Sequence, residues 1–265
     1  MFLPGMVVIT LKGIVRDKVL HGILVVAFLF LVIPAVSSLS MRQVTELSIT
    51  LSLSLLSLLL LVLAVFLGGT SVWRDLDRKY VFNVLGLPLS RNRYLLGKFA
   101  GIALFLFFTA VLLGLVSCLV VAFAAAAYPP DRPVVWGNML LAIAFSALGR
   151  TLLVAIAFLF SALSTSSFLP LFGTIALFFV GNASQNVYDF VHSPTAKTLP
   201  TFLIKTATAL YYVLPNFSAF DLKVNAIYGV ALNAGGLFLT FCYFVVYTLI
   251  VLSLSCLIFA KRELT

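Results

Sequence analysis

Charge is what this sequence has least of. Only 9% of its 265 residues are charged, 17 Lys or Arg and 8 Asp or Glu, where soluble domains carry about 25%. Side chains that bind metals are also scarce. There are two histidines, His21 and His192, and four methionines, at 1, 6, 41 and 139. Copper or zinc would need clustered thiolate, thioether or imidazole ligands, and none cluster here. Cys118, Cys242 and Cys256 lie inside apolar runs without CxxC spacing, so they read as small buried hydrophobes.

Catalytic motifs are missing too. No G-x-S-x-G occurs, and no His pairs convincingly with a Ser. A phosphate-binding loop needs GxxxxGK[ST], whose glycines let backbone N–H groups approach the phosphates. The one Gly-Lys step, Gly97-Lys98, is followed by Phe99 and has Asn92 where the first glycine belongs. The chain therefore has no catalytic residue or metal site of its own to nominate. A proton-driven carrier would want carboxylates within its spans, and the apolar runs supply none.

What the sequence has is apolar length. Residues of the set AVILMFWYC make up 63% of the chain. Crossing a bilayer core takes about 20 apolar residues at 1.5 Å each. Six runs qualify, near 20–38, 49–69, 97–127, 138–162, 168–184 and 228–259. The reading is an all-α integral membrane protein, with one membrane domain over 1–265 and no internal repeat. Before the first run, Val8, Leu11, Val15 and Val19 recur at helical spacing beside Lys12, Arg16 and Lys18. That predicts an amphipathic helix lying at the membrane surface. Ser164 to Ser167 makes a tight polar turn, so the fourth and fifth spans form a hairpin. Between the fifth and sixth, Thr198 and Pro200 open a short helix that Pro215 closes. It is interfacial or re-entrant, or else a plain loop helix packed on the spans.

The spans sort the positive charge. With both termini cytoplasmic, the inside holds Lys12, Arg16, Lys18, Arg74, Arg78, Lys79, Arg91, Arg93, Lys98, Lys261 and Arg262. The outside holds Arg42, Arg132, Lys197, Lys205 and Lys223. Orientation by positive loops selects this arrangement. Arg150 belongs to neither side. It sits near the middle of the fourth span, where a charge costs at least about 2.5–3.5 kcal/mol on insertion scales and usually faces protein or water. It either contacts an anionic substrate or a gate, or is held by neighbours such as Ser146 and Thr151, or snorkels from a helix kinked at Gly149.

The densest charge lies in RDLDRKYVFNVLGLPLSR, Arg74 to Arg91. Trp73, Leu76, Tyr80, Val84 and Leu87 recur at three- and four-residue spacing, which predicts an amphipathic helix over 72–88 stopped by Gly86 and Pro88. Ser90 is placed to cap the third span. A loop touching anionic lipid would account for the Lys and Arg, but not for Asp75 and Asp77.

The run DLDRKYVFNVLGLPLSRNRYLLGKFAG resembles the first cytoplasmic loop of ABC-2-type transporter permeases. Asp75 and Asp77 stand at the acidic positions, and Leu85, Pro88, Ser90, Arg91, Gly97 and Lys98 match the rest. Tyr80 replaces a commoner Thr, and Asp75 a commoner Glu. LKGIVRDKVLHGIL resembles the leading helix of these permeases. YYVLPNFSAFDL and FAKREL resemble the branch named for multi-copper-enzyme maturation, which includes the nitrous-oxide-reductase accessory permeases. The resemblance implies a six-span permease in the bacterial inner membrane, two copies of which form the path. Two ATP-binding ABC subunits would carry the ATP and Mg, and a periplasmic partner is possible. No nucleic acid is implied. The loop helix would seat in the ATPase through Trp73, Arg74, Asp75, Asp77, Arg78, Tyr80, Pro88 and Arg91. The alternative is a membrane scaffold that assembles an envelope complex without moving cargo.

Overall fold

The computed structural model describes residues 3–16, 19–40, 43–77, 90–130, 132–166, 168–193 and 200–261. No strand occurs among them. The helices are α1 (Leu3–Arg16), α2 (Val19–Phe30), α3 (Ile33–Ser37), α4 (Val44–Asp77), α5 (Arg91–Ala127), α6 (Trp136–Leu163), α7 (Phe168–Val191), α8 (Thr201–Val213), α9 (Lys223–Tyr228) and α10 (Ala234–Lys261). A 3₁₀ turn covers Ser218–Phe220. Five helices, α4 to α7 and α10, are long and apolar enough to cross a membrane, and a bent pair at the N-terminal end raises the total to six. The protein is an all-helical integral membrane protein.

The centre of the bundle is α6. Eight successive residues, Thr151 to Phe158, are buried, as expected of a helix that is apolar all round and surrounded by others. Helices α4 and α5 pack on it, and Leu56, Leu60, Ile102, Leu106 and Leu113 are fully enclosed. The outer ring is α2, α7 and α10, which expose Phe28, Phe172, Phe179, Phe238 and Leu249. Apolar side chains on that ring suit a hydrocarbon solvent rather than water.

Several boundaries differ from the sequence expectation. The first run is broken: α2 ends at Phe30, and α3 begins at Ile33 with Pro34 in its first turn. Proline has no N–H to donate, so it sits where an N–H has no helical partner. On α1, Met6, Thr10 and Ile14 follow an i, i+4 ladder. Met6 and Ile14 are buried, while Val8 and Val15 of the expected apolar stripe are exposed. The chain turns by 66° between this helix and the next segment. Ser164 forms the hairpin turn between α6 and α7, its Oγ donating to Ser166 O at 2.8 Å and accepting from Ser166 N at 3.1 Å.

The largest correction concerns the second span. It does not end near 69. Instead α4 runs unbroken to Asp77, so Trp73, Arg74 and Asp75 belong to the end of the span helix. No proline interrupts the run, and the helix is about 51 Å long at 1.5 Å per residue, well beyond a bilayer core. The remainder of the expected helix, 78–89, lies outside the described residues, as does Thr198. The outer helix is α8, which begins at Thr201 with Pro200 before it and buries none of its residues. The last span starts at Ala234 rather than near 228, because α9 and an irregular stretch precede it.

After α8 the chain dips back into the bundle. Asn216 Nδ2 donates to Gln185 Oε1 at 2.7 Å, and Ser218 Oγ donates to Asn182 O at 2.9 Å, one turn deeper along α7. Phe220 then packs on Gly149, about 20 Å along α6 from its start at Trp136. The return is fixed by Asn138 Nδ2, which donates to Asn225 O and Val230 O, each at 2.9 Å. Two glycines make room for the dip. A Cβ on Gly181 would lie 2.3 Å from Pro215 O, and one on Gly149 would lie 3.1 Å from Phe220 Cβ.

Gly181→Ala is expected to destabilise the protein by about 1–3 kcal/mol through overpacking. Gly137→Ala has nothing within 4 Å and should be neutral. Unfolding midpoints in detergent check this, and equal midpoints for the two variants would refute the close approach.

Candidate functional site: two polar centres in an apolar bundle

At one end of the bundle, α4, α5 and α10 are tied by polar contacts. Tyr94 and Lys98 are one turn apart on α5, so they share a face. The Lys98 ammonium donates to the Asp75 carboxylate and to the Ser71 carbonyl, both on α4. Tyr94 Oη also donates to Asp75 Oδ2, at 2.5 Å. Lys98 is 7% exposed, whereas the Asp75 side chain is 30% exposed. The ring of Tyr94 stacks on Phe259 of α10 at 6.1 Å, and Arg91 Nη1 donates to Ala260 O at 3.0 Å. A cation on the last carbonyls of a helix is favoured by the helix dipole.

These contacts relocate part of the expected partner-binding set. Asp75 is held by Lys98 and Tyr94 of its own chain, and Arg91 reaches the end of α10. Trp73 and Arg74 are half-buried in the last turns of α4. Asp77 ends that helix, and Arg78, Tyr80 and Pro88 lie outside the described residues. Ser90 occupies the N-cap position of α5, but its side chain makes no cap hydrogen bond. Sequence reading counted Lys98 as loop charge. Its spacing of four from Tyr94, at the mouth of an apolar run, was the available signal.

The second centre is halfway along α6. Arg150 Nη2 donates to Ser57 Oγ of α4 at 2.7 Å. Its guanidinium carbon lies 4.5 Å from the centroid of the Phe178 ring of α7, a cation–π contact. Neither Ser146 nor Thr151 bonds it. Thr151 Oγ1 donates to Ala147 O instead, at 2.9 Å. The helix is continuous through Gly149. A cavity of about 30 Å³ adjoins Arg150, lined also by Ser57, Ser146, Asn182 and Asp221. Asp221 follows the 3₁₀ turn, so the dip brings an acid beside a helix-centre arginine that is distant in sequence. Asp221 lies between the fifth and sixth apolar runs, far in sequence from the fourth that carries Arg150. Its isolation within the apolar run NFSAFDL was the only hint.

A wider groove of about 340 Å³ lies between α8 and α10, walled by Tyr211, Tyr212, Asn216, Leu239 and Tyr243. Asn216 N donates to Tyr243 Oη at 2.9 Å, and Tyr247 Oη donates to Val213 O at 3.0 Å. Among the described residues no group of three His, Cys, Asp or Glu side chains converges as a metal site would require.

Long apolar helices crossing a membrane, with few polar side chains among them, are what the structure brings to a family comparison. The model for the ABC-2 family transporter protein matches residues 8–264. This chain belongs to the ABC-2 family of transporter proteins. It is a multi-pass permease, the transmembrane component of its transporter. Among curated proteins, none matches the sequence.

The Lys98 centre of this permease generates a prediction. Asp75→Asn leaves the ammonium buried without a counter-charge, a loss of about 3 kcal/mol. Tyr94→Phe removes one hydrogen bond to a charged group, about 1.5 kcal/mol. Asp75→Leu combined with Lys98→Met removes both charges and should recover most of the loss. Unfolding midpoints across the series test the pair, and a double variant no more stable than Asp75→Asn would contradict it.

Proposed function

We propose that the protein is the permease subunit of an ATP-driven ABC transporter. Two copies form the translocation path, and two separate ATP-binding subunits, carrying ATP and Mg, drive it. The observation that carries this reading is the family match over 8–264. The Lys98 centre supports it. The helices on either side of 78–89, α4 and α5, are tied to each other at that end by the Asp75–Lys98 pair.

In this reading both termini are cytoplasmic in a bacterial inner membrane, as the positive loops favour. The 72–88 segment docks in the ATPase. Asp75 and Arg91 are engaged within the chain, so contact with the partner is assigned to the rest of the set, Trp73, Arg74, Asp77, Arg78, Tyr80 and Pro88. Their charges would set its register on the ATPase surface. A periplasmic partner for the α8 end is compatible with this arrangement.

The test is co-purification with the ATPase encoded beside the gene, followed by ATP hydrolysis in nanodiscs. Asp77→Lys with Arg78→Glu should lower permease-stimulated hydrolysis at least about tenfold, as loss of paired interface charges does, and leave the unfolding midpoint unchanged. Recovery of the chain in an envelope complex with no ATPase would favour a scaffold. Full stimulation in the double variant would remove 72–88 as the docking element.

A further inference from the structure

We propose that the Arg150 cavity is a subsite for an anionic headgroup, a carboxylate or phosphate, carried by the cargo of this permease. The inference rests on the transport reading for its biological use, but its chemistry is local.

A guanidinium offers five N–H donors in a planar fork. One nitrogen of Arg150 is used by Ser57, and the ring of Phe178 covers one face. Nε is buried and has no hydrogen-bond partner. Leaving a buried donor of a charged group unsatisfied costs about 1–3 kcal/mol or more, so a group that brings an acceptor oxygen to it is favoured. Carboxylate and phosphate are the groups whose paired oxygens match the fork.

The nearby acid does not fill this role. Asp221 Oδ1 accepts from Lys223 N at 3.1 Å, and Oδ2 lies 3.8 Å from Lys223 Nζ. It is thus turned toward its own segment and makes no ion pair with Arg150. The cavity lining carries one positive charge, Arg150, and one negative, Asp221, and Lys223 beside Asp221 offsets the latter. Ser146 and Asn182 add polar edges, and Phe217 and Phe220 supply apolar walls. The volume, about 30 Å³, holds one or two waters or the oxygens of a single acid group, since one water needs roughly 10–15 Å³ by this measure. Asp221 is half exposed, so the cavity opens to the surface on that side. An acid head with an apolar tail fits such a site: the head meets Arg150 and the tail stays among phenylalanines or lipid.

The purified full chain in phosphatidylcholine nanodiscs tests this without any ATPase. The probes are dodecyl phosphate, laurate, dodecanol and inorganic phosphate. Dodecyl phosphate and laurate should raise the unfolding midpoint by at least about 3 °C over dodecanol, as ligands of the folded state do. Arg150→Gln should abolish the rise. Asp221→Asn removes the one negative charge at the cavity and should tighten binding roughly threefold. If inorganic phosphate alone gives an equal rise that Arg150→Gln removes, the subsite stands and takes a free anion rather than an amphiphile. No rise over dodecanol in the natural protein overturns the proposal, as does a rise that survives Arg150→Gln. Should Arg150→Gln fail to fold, unchanged affinity in Asp221→Asn overturns it instead. A chain that binds dodecyl phosphate yet recruits no ATPase would overturn the transport reading alone.

Discussion

Inside an apolar slab, a polar group finds its partner within the protein or not at all. Many hydroxyls here meet that demand locally. Thr109, Ser117, Thr151 and Ser255 each donate to the carbonyl four residues back on their own helix. Other side chains reach across to another element. Among them Asn138 supports the segment returning from the dip, Lys98 joins α4 to α5, and Arg150 joins α6 to α4. Such reaches help fix how the elements sit against one another. Apolar packing alone leaves helices free to slide, because lipid is as apolar as the side chains it replaces.

The two charged centres meet the demand to different degrees. Around Lys98 the ammonium has a carboxylate and a carbonyl, and the carboxylate has a second donor in Tyr94. The ammonium and the carboxylate are both satisfied there, although the buried Ser71 Oγ beside them has no partner, and a satisfied ion pair rigidifies what it joins. Around Arg150 the account does not close, since one buried donor has no acceptor and an open cavity lies beside it. The difference separates a satisfied ion pair from a cation with an unpartnered donor.

What the sequence made legible was whatever repeats or punctuates. The long apolar runs and the tight Ser turn depend on composition over many residues, which outweighs local detail. The extension of α4 to Asp77 was not legible. Charge after an apolar run looks like an exit from the membrane, yet nothing in the residues themselves ends the helix there. The dip between α8 and α10 was hidden for another reason. Its depth is set by Gly149 and Gly181, on helices 30 to 70 residues away in the chain, and a glycine in a span has no signature until its neighbour is known. The residue type of Arg150 marked it out, but its partners Ser57 and Phe178 are contributed by other helices, and Asp221 by the dip. Tertiary contact alone identifies them.

Both centres share one helix. Ser57 and Asp75 lie on α4, about 27 Å apart along its axis, with no break between them. Between them Gly68 presses on α6, where an added Cβ would come within 2.9 Å of Ala157 Cβ. The brace at one end and the arginine centre in the middle are therefore tied through one continuous helix, wedged against α6 between them, and neither centre can be repositioned independently of it.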